Sequence, residues 1–284
     1  MNDPLGFLVD LLKLRQLDDG VFEGPHPEGE RQRTFGGQIA AQALIAAGKT
    51  VSQGRVHSLH SYFLRPGDSS APTTFEVDRI RDGRSFTTRR VVAYQHGKAI
   101  YNQQTSFHVD EAGPDHQFTI PDAPAPESLE PLEDRVMAEF GYVESFAAMP
   151  QPIDQRYIGA LPWSAERPSV PTQRLWIRTK GTLSDDPLLH AAVITYASDM
   201  NLFDTILGPT DLRWGDNRFM GASLDHCMWF HRPVRADDWL LYDMDSPTAH
   251  GGRGLARGFL YARDGSLAVS MVQEGLIRPL EEPQ

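Results

Sequence analysis

The chain has little cysteine, a deficit of positive charge and no long apolar run, and each shortage removes a class of function. One cysteine, Cys227, in 284 residues excludes an internal disulfide. A lone thiol in a strand-like run reads as a small core residue, so cysteine redox chemistry and cysteine metal sites drop out. Lys and Arg number 27 against 38 Asp and Glu, a formal charge of −11. Nucleic acid is therefore not an expected partner, because phosphate neutralisation needs a basic face. No window nears the ~18 apolar residues of a membrane helix. The opening Met1-Asn2-Asp3-Pro4 lacks the basic stretch and cleavage site of a secretory signal. The expectation is a cytoplasmic protein with no membrane partner. What remains is average: 40% hydrophobic and 23% charged residues describe a folded body, and the length leaves one or two cores open.

Helical spacing appears first at Phe7–Leu12. A polar stretch through Pro25, Pro27 and Arg33 follows. The run from Phe35 to Gly48 then begins at Gly36-Gly37, is rich in alanine and ends at a glycine, as suits a helix lying tight against a sheet. Strand-like segments at 57–64, 73–81, 85–94 and 99–109 are joined by short turns, an antiparallel meander. From 114 to 171 ten prolines with acids between them predict irregular connection, with a short helix near 132–140.

The first pattern then returns. A strand at 176–180 precedes Asp186-Pro187, a helix cap followed by proline, and a helix is predicted from there to about Leu207. Strands at 223–232, 239–245, 253–262 and 267–277 follow. Phe63-Leu64-Arg65-Pro66 matches Phe230-His231-Arg232-Pro233, and Gly83, Arg89, Tyr94 and Gly97 line up with Gly251, Arg257, Tyr261 and Gly265. Ser58-Leu59-His60 is set against Ser223-Leu224-Asp225-His226, and the offset stays within a few residues of 167. The order of elements recurs too, so we read a duplication of one α+β unit. Residues 1–113 form the first unit, 114–171 a linker and 172–284 the second.

Chemistry points first to Asp199. At about 100° per residue, Ala192, Tyr196 and Phe203 project beside it, which sets a carboxylate in an apolar stripe. Desolvation there would raise its pKa toward that of a general base. A structural Asp bonded to backbone amides is the competing reading. By strand alternation Gln273 shares a face with Val269, Met271 and Ile277, where an amide could orient water or serve a developing oxyanion, or simply be satisfied internally.

Other constellations fail. On a strand, His226 points away from Ser223 and Asp225, and no Gly-x-Ser-x-Gly occurs, so a serine hydrolase is set aside. His57 and His60 fall on opposite strand faces and make no metal pair. No metal and no cofactor are expected. Arginines 79, 81, 84, 89 and 90 form the densest basic run, the best place in so acidic a chain for an anionic ligand.

Phe35-Gly36-Gly37-Gln38, the run from Val56 to Gly67, Asp82-Gly83-Arg84-Ser85-Phe86, Tyr196-Ala197-Ser198-Asp199, the run from Leu224 to Pro233 and Val272-Gln273-Glu274-Gly275 occur in one chain. With these the sequence resembles the acyl-CoA thioesterase II (TesB-type) family over nearly its whole length. The resemblance implies a double hotdog, in which each half wraps an antiparallel sheet about a helix and the halves share one continuous sheet. It implies hydrolysis of fatty acyl-CoA, with acyl-CoA as the partner and self-association as a homodimer or higher oligomer. The family's acid falls on Asp199, its hydroxyl on Ser223 and its amide on Gln273, which together would activate a water with no covalent intermediate. The amides of Gly36 and Gly37 would serve the oxyanion, and Arg65, Arg84 and Arg89 would contact CoA. A non-catalytic acyl-CoA-binding hotdog and a hotdog hydratase or dehydratase are the alternatives. Of the predicted helix, only His190 could supply a hydratase's histidine, and it projects away from Asp199.

Overall fold

The computed structural model describes residues 3–26, 33–143, 151–166, 169–214 and 218–280. Pro27, Pro150, Pro168 and the two chain ends used above lie outside the described residues. Helix α1 (Pro4–Leu11), strands β1 (Arg15–Asp18) and β2 (Val21–Gly24) and helix α2 (Gly36–Gly48) precede the meander β3 (Arg55–Phe63), β4 (Thr73–Asp82), β5 (Phe86–Gln95) and β6 (Lys98–His108). Helix α3 (Leu132–Phe140), β7 (Ile153–Ile158) and β8 (Thr172–Thr179) lead to α4 (Pro187–Ser198) and α5 (Leu202–Leu207). The second meander is β9 (Phe219–Ser223), β10 (Asp225–Phe230), β11 (Leu240–His250), β12 (Arg253–Ala262) and β13 (Leu267–Pro279).

Local chemistry accounts for the boundaries. Asp186 accepts the amide of Leu188 at 2.9 Å and Pro187 opens α4, as a cap and first-turn proline should. The β5–β6 hairpin turns through His96 and Gly97, at φ 50° and 70°, the left-handed pair that a tight hairpin needs.

All the strands join one sheet, ordered β1-β2-β4-β5-β6-β3-β10-β13-β12-β11-β8-β7, with β9 paired to β13. Its centre is the antiparallel β3–β10 ladder, where His60 faces Cys227. These two are 167 apart, and so are His57 and Leu224, the residues at which the pairing of β3 with β6 and of β9 and β10 with β13 slips by one, so the ladders fix the duplication's offset. Ser223 then corresponds to Val56 and not to Ser58, a correction of two residues to the sequence alignment. On the concave side α2 and α4 pack antiparallel. A Cβ on Gly37 would lie 2.5 Å from the Tyr196 carbonyl, and one on Gly48 would lie 2.4 Å from Leu188. One contiguous apolar core spans both units, which is the expected double hotdog.

Three expectations change. The polar stretch after α1 holds β1 and β2. Strand β1 is exposed along its whole length and offered no alternation to read. The stretch 114–171 is not all irregular, because β7 extends the second unit's sheet beside β8. Its Asp154 and Gln155 are buried, Asp154 with Arg156 and Arg178, and this polar interior hid the strand. The helix expected from 187 to 207 breaks at 199–201 into α4 and α5. Asn201 turns its side chain away from the helix to Gln155 and Tyr157, at 3.0 and 2.6 Å, while Ser198, Asp199 and Asn201 are weak helix formers.

Candidate active site

Asp199 caps the C-terminus of α4 at this break, facing the start of α2. The first helical amides of α2 have no acceptor within the helix, and Phe35 at its N-cap offers no side-chain oxygen. Gly36 leaves room for the acid: a Cβ there would meet Asp199 Oδ2 at 2.7 Å. The Gly37 amide donates to the Asp199 carboxylate.

Two more donors converge from the sheet. Ser223 Oγ lies 3.3 Å from Asp199 Oδ1 and accepts Gln273 Nε2 at 2.7 Å, and the Gln273 amide also serves Asp199. The structure thus brings Asp199, Ser223 and Gln273 together from α4, β9 and β13. Gln273 is fully buried with Val269 and Met271, as its strand parity predicted.

The apolar stripe expected around Asp199 describes only part of its surroundings. Ser198, Asn201 and Asp204 are buried as well, so this helix pair has no polar face. What sets Asp199 apart is its place in the break. Burial raises its carboxyl to about 6, against the three hydrogen bonds that hold it down. The phenols of Tyr101 and Tyr242, both buried near this acid, are pushed up by burial and secondly by its charge, so they remain hydroxyls.

Behind Gln273 stands a residue that sequence reasoning set aside. His226 is wholly buried, with Nδ1 2.6 Å from Gln273 Oε1 and Nε2 2.8 Å from Ser198 Oγ. Burial lowers its pKa to about 4, against the Gln273 bond, so it is neutral. Parity could have found it: it alternates with Met228 on the buried face of β10.

Of the expected contacts, one is engaged otherwise and two lie elsewhere. Gly37's amide is occupied by Asp199, so of the glycine pair Gly36 remains for an oxyanion. Arg89 is 2% exposed and its guanidinium donates to Thr50, Asp82 and nearby carbonyls, a structural role. Arg84 is exposed in the β4–β5 turn, where its carbonyl accepts Gln53, beyond the far end of α2 from Gly36. Arg65 stays near the start of α2, just past Phe63, and donates to the Ala99 carbonyl at 2.6 Å. A cavity of about 500 Å³ lies at that far end, lined by Gly48, His57, Leu188 and His190 among others, away from Asp199.

The profile of the family described as acyl-CoA thioesterase matches residues 162–276, and that of its N-terminal domain matches residues 24–108. The chain belongs to the acyl-CoA thioesterase family. Human acyl-coenzyme A thioesterase 8 is 41% identical over 98% of this chain and 92% of its own length. Acyl-CoA thioesterase 2 of Haemophilus influenzae is 35% identical over 98% and 99%. The crystal structure of the acyl-CoA thioesterase II TesB2 from Mycobacterium marinum superposes with a TM-score of 0.79 at 38% identity, covering 98% of this chain and 99% of that one. A hot dog fold protein from Alicyclobacillus acidocaldarius, at 18% identity and TM-score 0.77, shares the fold. The thioesterase assignment makes the chain a thioester hydrolase. It removes the non-catalytic alternative, and no helix among the described residues is long and apolar enough to cross a membrane.

Proposed function

We propose that this thioesterase hydrolyses fatty acyl-CoA by direct attack of a water that Asp199 deprotonates, with no acyl-enzyme. The observation that carries the reading is the carboxylate raised to about 6 and held by three donors: at neutral pH it is ionised, yet basic enough to accept a proton in the transition state. Ser223 and Gln273 orient it and the water. The water oxygen bonds to the thioester carbon while its proton passes to Asp199, and the carbonyl oxygen gains the negative charge. The Gly36 amide, at the positive end of α2, stabilises that oxyanion. Collapse breaks the carbon–sulfur bond, and Asp199 returns its proton to the leaving CoA sulfur, giving the free acid and CoA.

Aromatic rings lie beside this place. Phe63 lies against Gly36 with its ring tilted 48° to that of Tyr101 at 5.1 Å, while Phe35 meets Tyr196 edge-on at 5.0 Å. They suit an acyl chain running between helix and sheet, with Arg65 as the cation for CoA. His226 has both ring nitrogens engaged away from solvent, which disfavours the hydratase chemistry that needs a free histidine. Cytoplasmic location and self-association belong to the same reading; light scattering on the purified protein tests the second.

A single turnover in H₂¹⁸O tests the mechanism. Direct attack puts one ¹⁸O into the first acid released, whereas an acyl-Asp199 anhydride resolved at the Asp carbonyl would release a first acid carrying the enzyme's ¹⁶O and would overturn the proposal.

A further inference from the structure

The polar chain at the site runs deeper than the reacting groups, and its outer end dictates the direction of every hydrogen bond in it. The Asp199 carboxylate only accepts, so the Gln273 nitrogen must face it and Ser223, leaving Gln273 Oε1 pointing inward. There it meets His226 Nδ1 at 2.6 Å, so Nδ1 carries the imidazole hydrogen. Nε2 is then bare, and the Ser198 hydroxyl, 2.8 Å away, turns its single hydrogen to it in preference to the Thr195 carbonyl at 3.0 Å. His226, Gln273 and Ser198 are all fully buried, so no solvent can substitute for a missing partner. Were the Gln273 amide turned over, its oxygen would face a carboxylate and its NH₂ an N–H, and both contacts would be lost.

We propose that His226 is a positioning residue for thioester hydrolysis: held as the Nδ1–H tautomer by Ser198, it locks the Gln273 amide with its nitrogen toward Ser223 and Asp199. The inference rests on the reading of Asp199 as the base. The ladder supplies the geometry, since Cys227 faces Val272 and His226 therefore lies across from Gln273. At the corresponding place in the first unit, 167 residues earlier, stands Leu59, fully buried and without a hydrogen bond to give.

That residue suggests the decisive substitution. His226→Leu fills the volume but leaves Gln273 Oε1 without a donor. We expect kcat on an acyl-CoA to fall roughly 10- to 100-fold with KM within about twofold. We also expect the acid limb of kcat to move to higher pH, because the Gln273 bond is one of those lowering Asp199's pKa. The other ionisable groups around Asp199, the phenols of Tyr101 and Tyr242, do not titrate in that range. His226→Asn, whose amide N–H reaches the place of Nδ1–H, should recover kcat to within about threefold of wild type. Ser198→Ala should give a smaller loss, by freeing the tautomer.

Folded His226→Leu with wild-type kcat and acid limb would overturn the proposal, as would His226→Asn being equally impaired. If His226→Leu does not fold, an unchanged kcat in Ser198→Ala overturns it, and so does an Nε2–H tautomer for His226 in the ¹⁵N spectrum of the wild-type protein. Asp199→Asn measured alongside separates the two claims. Full activity there ends the base reading, whereas an inactive Asp199→Asn beside a wild-type His226→Leu ends the positioning role alone.

Discussion

The two ends of the α2–α4 pair are related by the duplication and differ in every residue that matters. At one end Asp199 leaves α4 opposite Gly36 and Gly37; at the other Lys49 leaves α2, exposed, opposite Pro187 and Leu188. The strands differ in step. Ser223, His226 and Gln273 at the first end correspond to Val56, Leu59 and Thr105 at the second, by the matching β3–β6 and β10–β13 registers. Leu188 packs on Gly48 where the first end holds a carboxylate against Gly36. A common backbone therefore supplies a helix end, a glycine and a pair of central strands twice, but the buried polar chain only once. The chemistry lies in that chain and not in the fold that carries it.

The sharpest way to break the contrast is Asp199→Asn. If turnover belongs to one end, kcat on an acyl-CoA drops by about 10²–10⁴ in a thiol-release assay. Residual activity above about a tenth of wild type would mean that turnover does not depend on the carboxylate that distinguishes this end. Next come two matched glycine substitutions that overpack the same helix pair. Gly37→Ala drives its Cβ into the Tyr196 carbonyl and shifts the amide that holds Asp199, so kcat falls by at least about tenfold, along with Tm. Gly48→Ala meets the end of the flexible Leu188 side chain, lowers stability by about 1–3 kcal/mol and leaves kcat unchanged at permissive temperature. Equal kcat losses in the two variants would erase the distinction between the ends.

A smaller effect sharpens the picture of the base. Protonating Asp199 removes it, so kcat should fall as pH drops through about 6, approaching tenfold per unit below that. A flat profile down to pH 4.5 would contradict the raised carboxyl. The smallest change is Ser223→Thr, which keeps the hydroxyl and adds a methyl that stiffens the rotamer; kcat should stay within about threefold.

Sequence reasoning reached different parts of this molecule to different depths. The meanders were legible because Gly-containing turns punctuate them, and the repeat was legible because Arg-Pro and Gly positions recur at a fixed offset. Gln273 was legible because β13 alternates cleanly. The break at 199–201 was not: α4 and α5 are buried on every side, so no stripe marks where one ends. Strand β7 was hidden by its own buried ion pair. His226 failed for another reason. Asking whether it could act with its sequence neighbours Ser223 and Asp225 excluded it, whereas its partners are Gln273, 47 residues on, and Ser198, 28 residues back. Parity marks the burial of His226 beside Met228, but the cross-strand and strand-to-helix partners themselves carry no local signature.

The neutral imidazole and the raised carboxyl have a joint consequence for proton uptake on folding. Near pH 5 an unfolded chain has Asp199 ionised, from its ordinary 3.8, and His226 protonated, from its ordinary 6.5. The folded chain reverses both, at about 6 and about 4. Folding thus moves one proton from the imidazole to the carboxyl and takes up none from solvent, and the site's contribution to stability is nearly flat over that window. Each substitution uncovers the other half. In His226→Asn the acid is left alone with its raised pKa, so the folded state binds the extra proton and stability rises as pH falls from about 6 to 4. In Asp199→Asn the imidazole is left alone with its lowered pKa, and stability falls as pH drops from about 6.5 to 4. Denaturant midpoints of the two variants, followed over that range, should diverge in opposite directions from a level wild-type line.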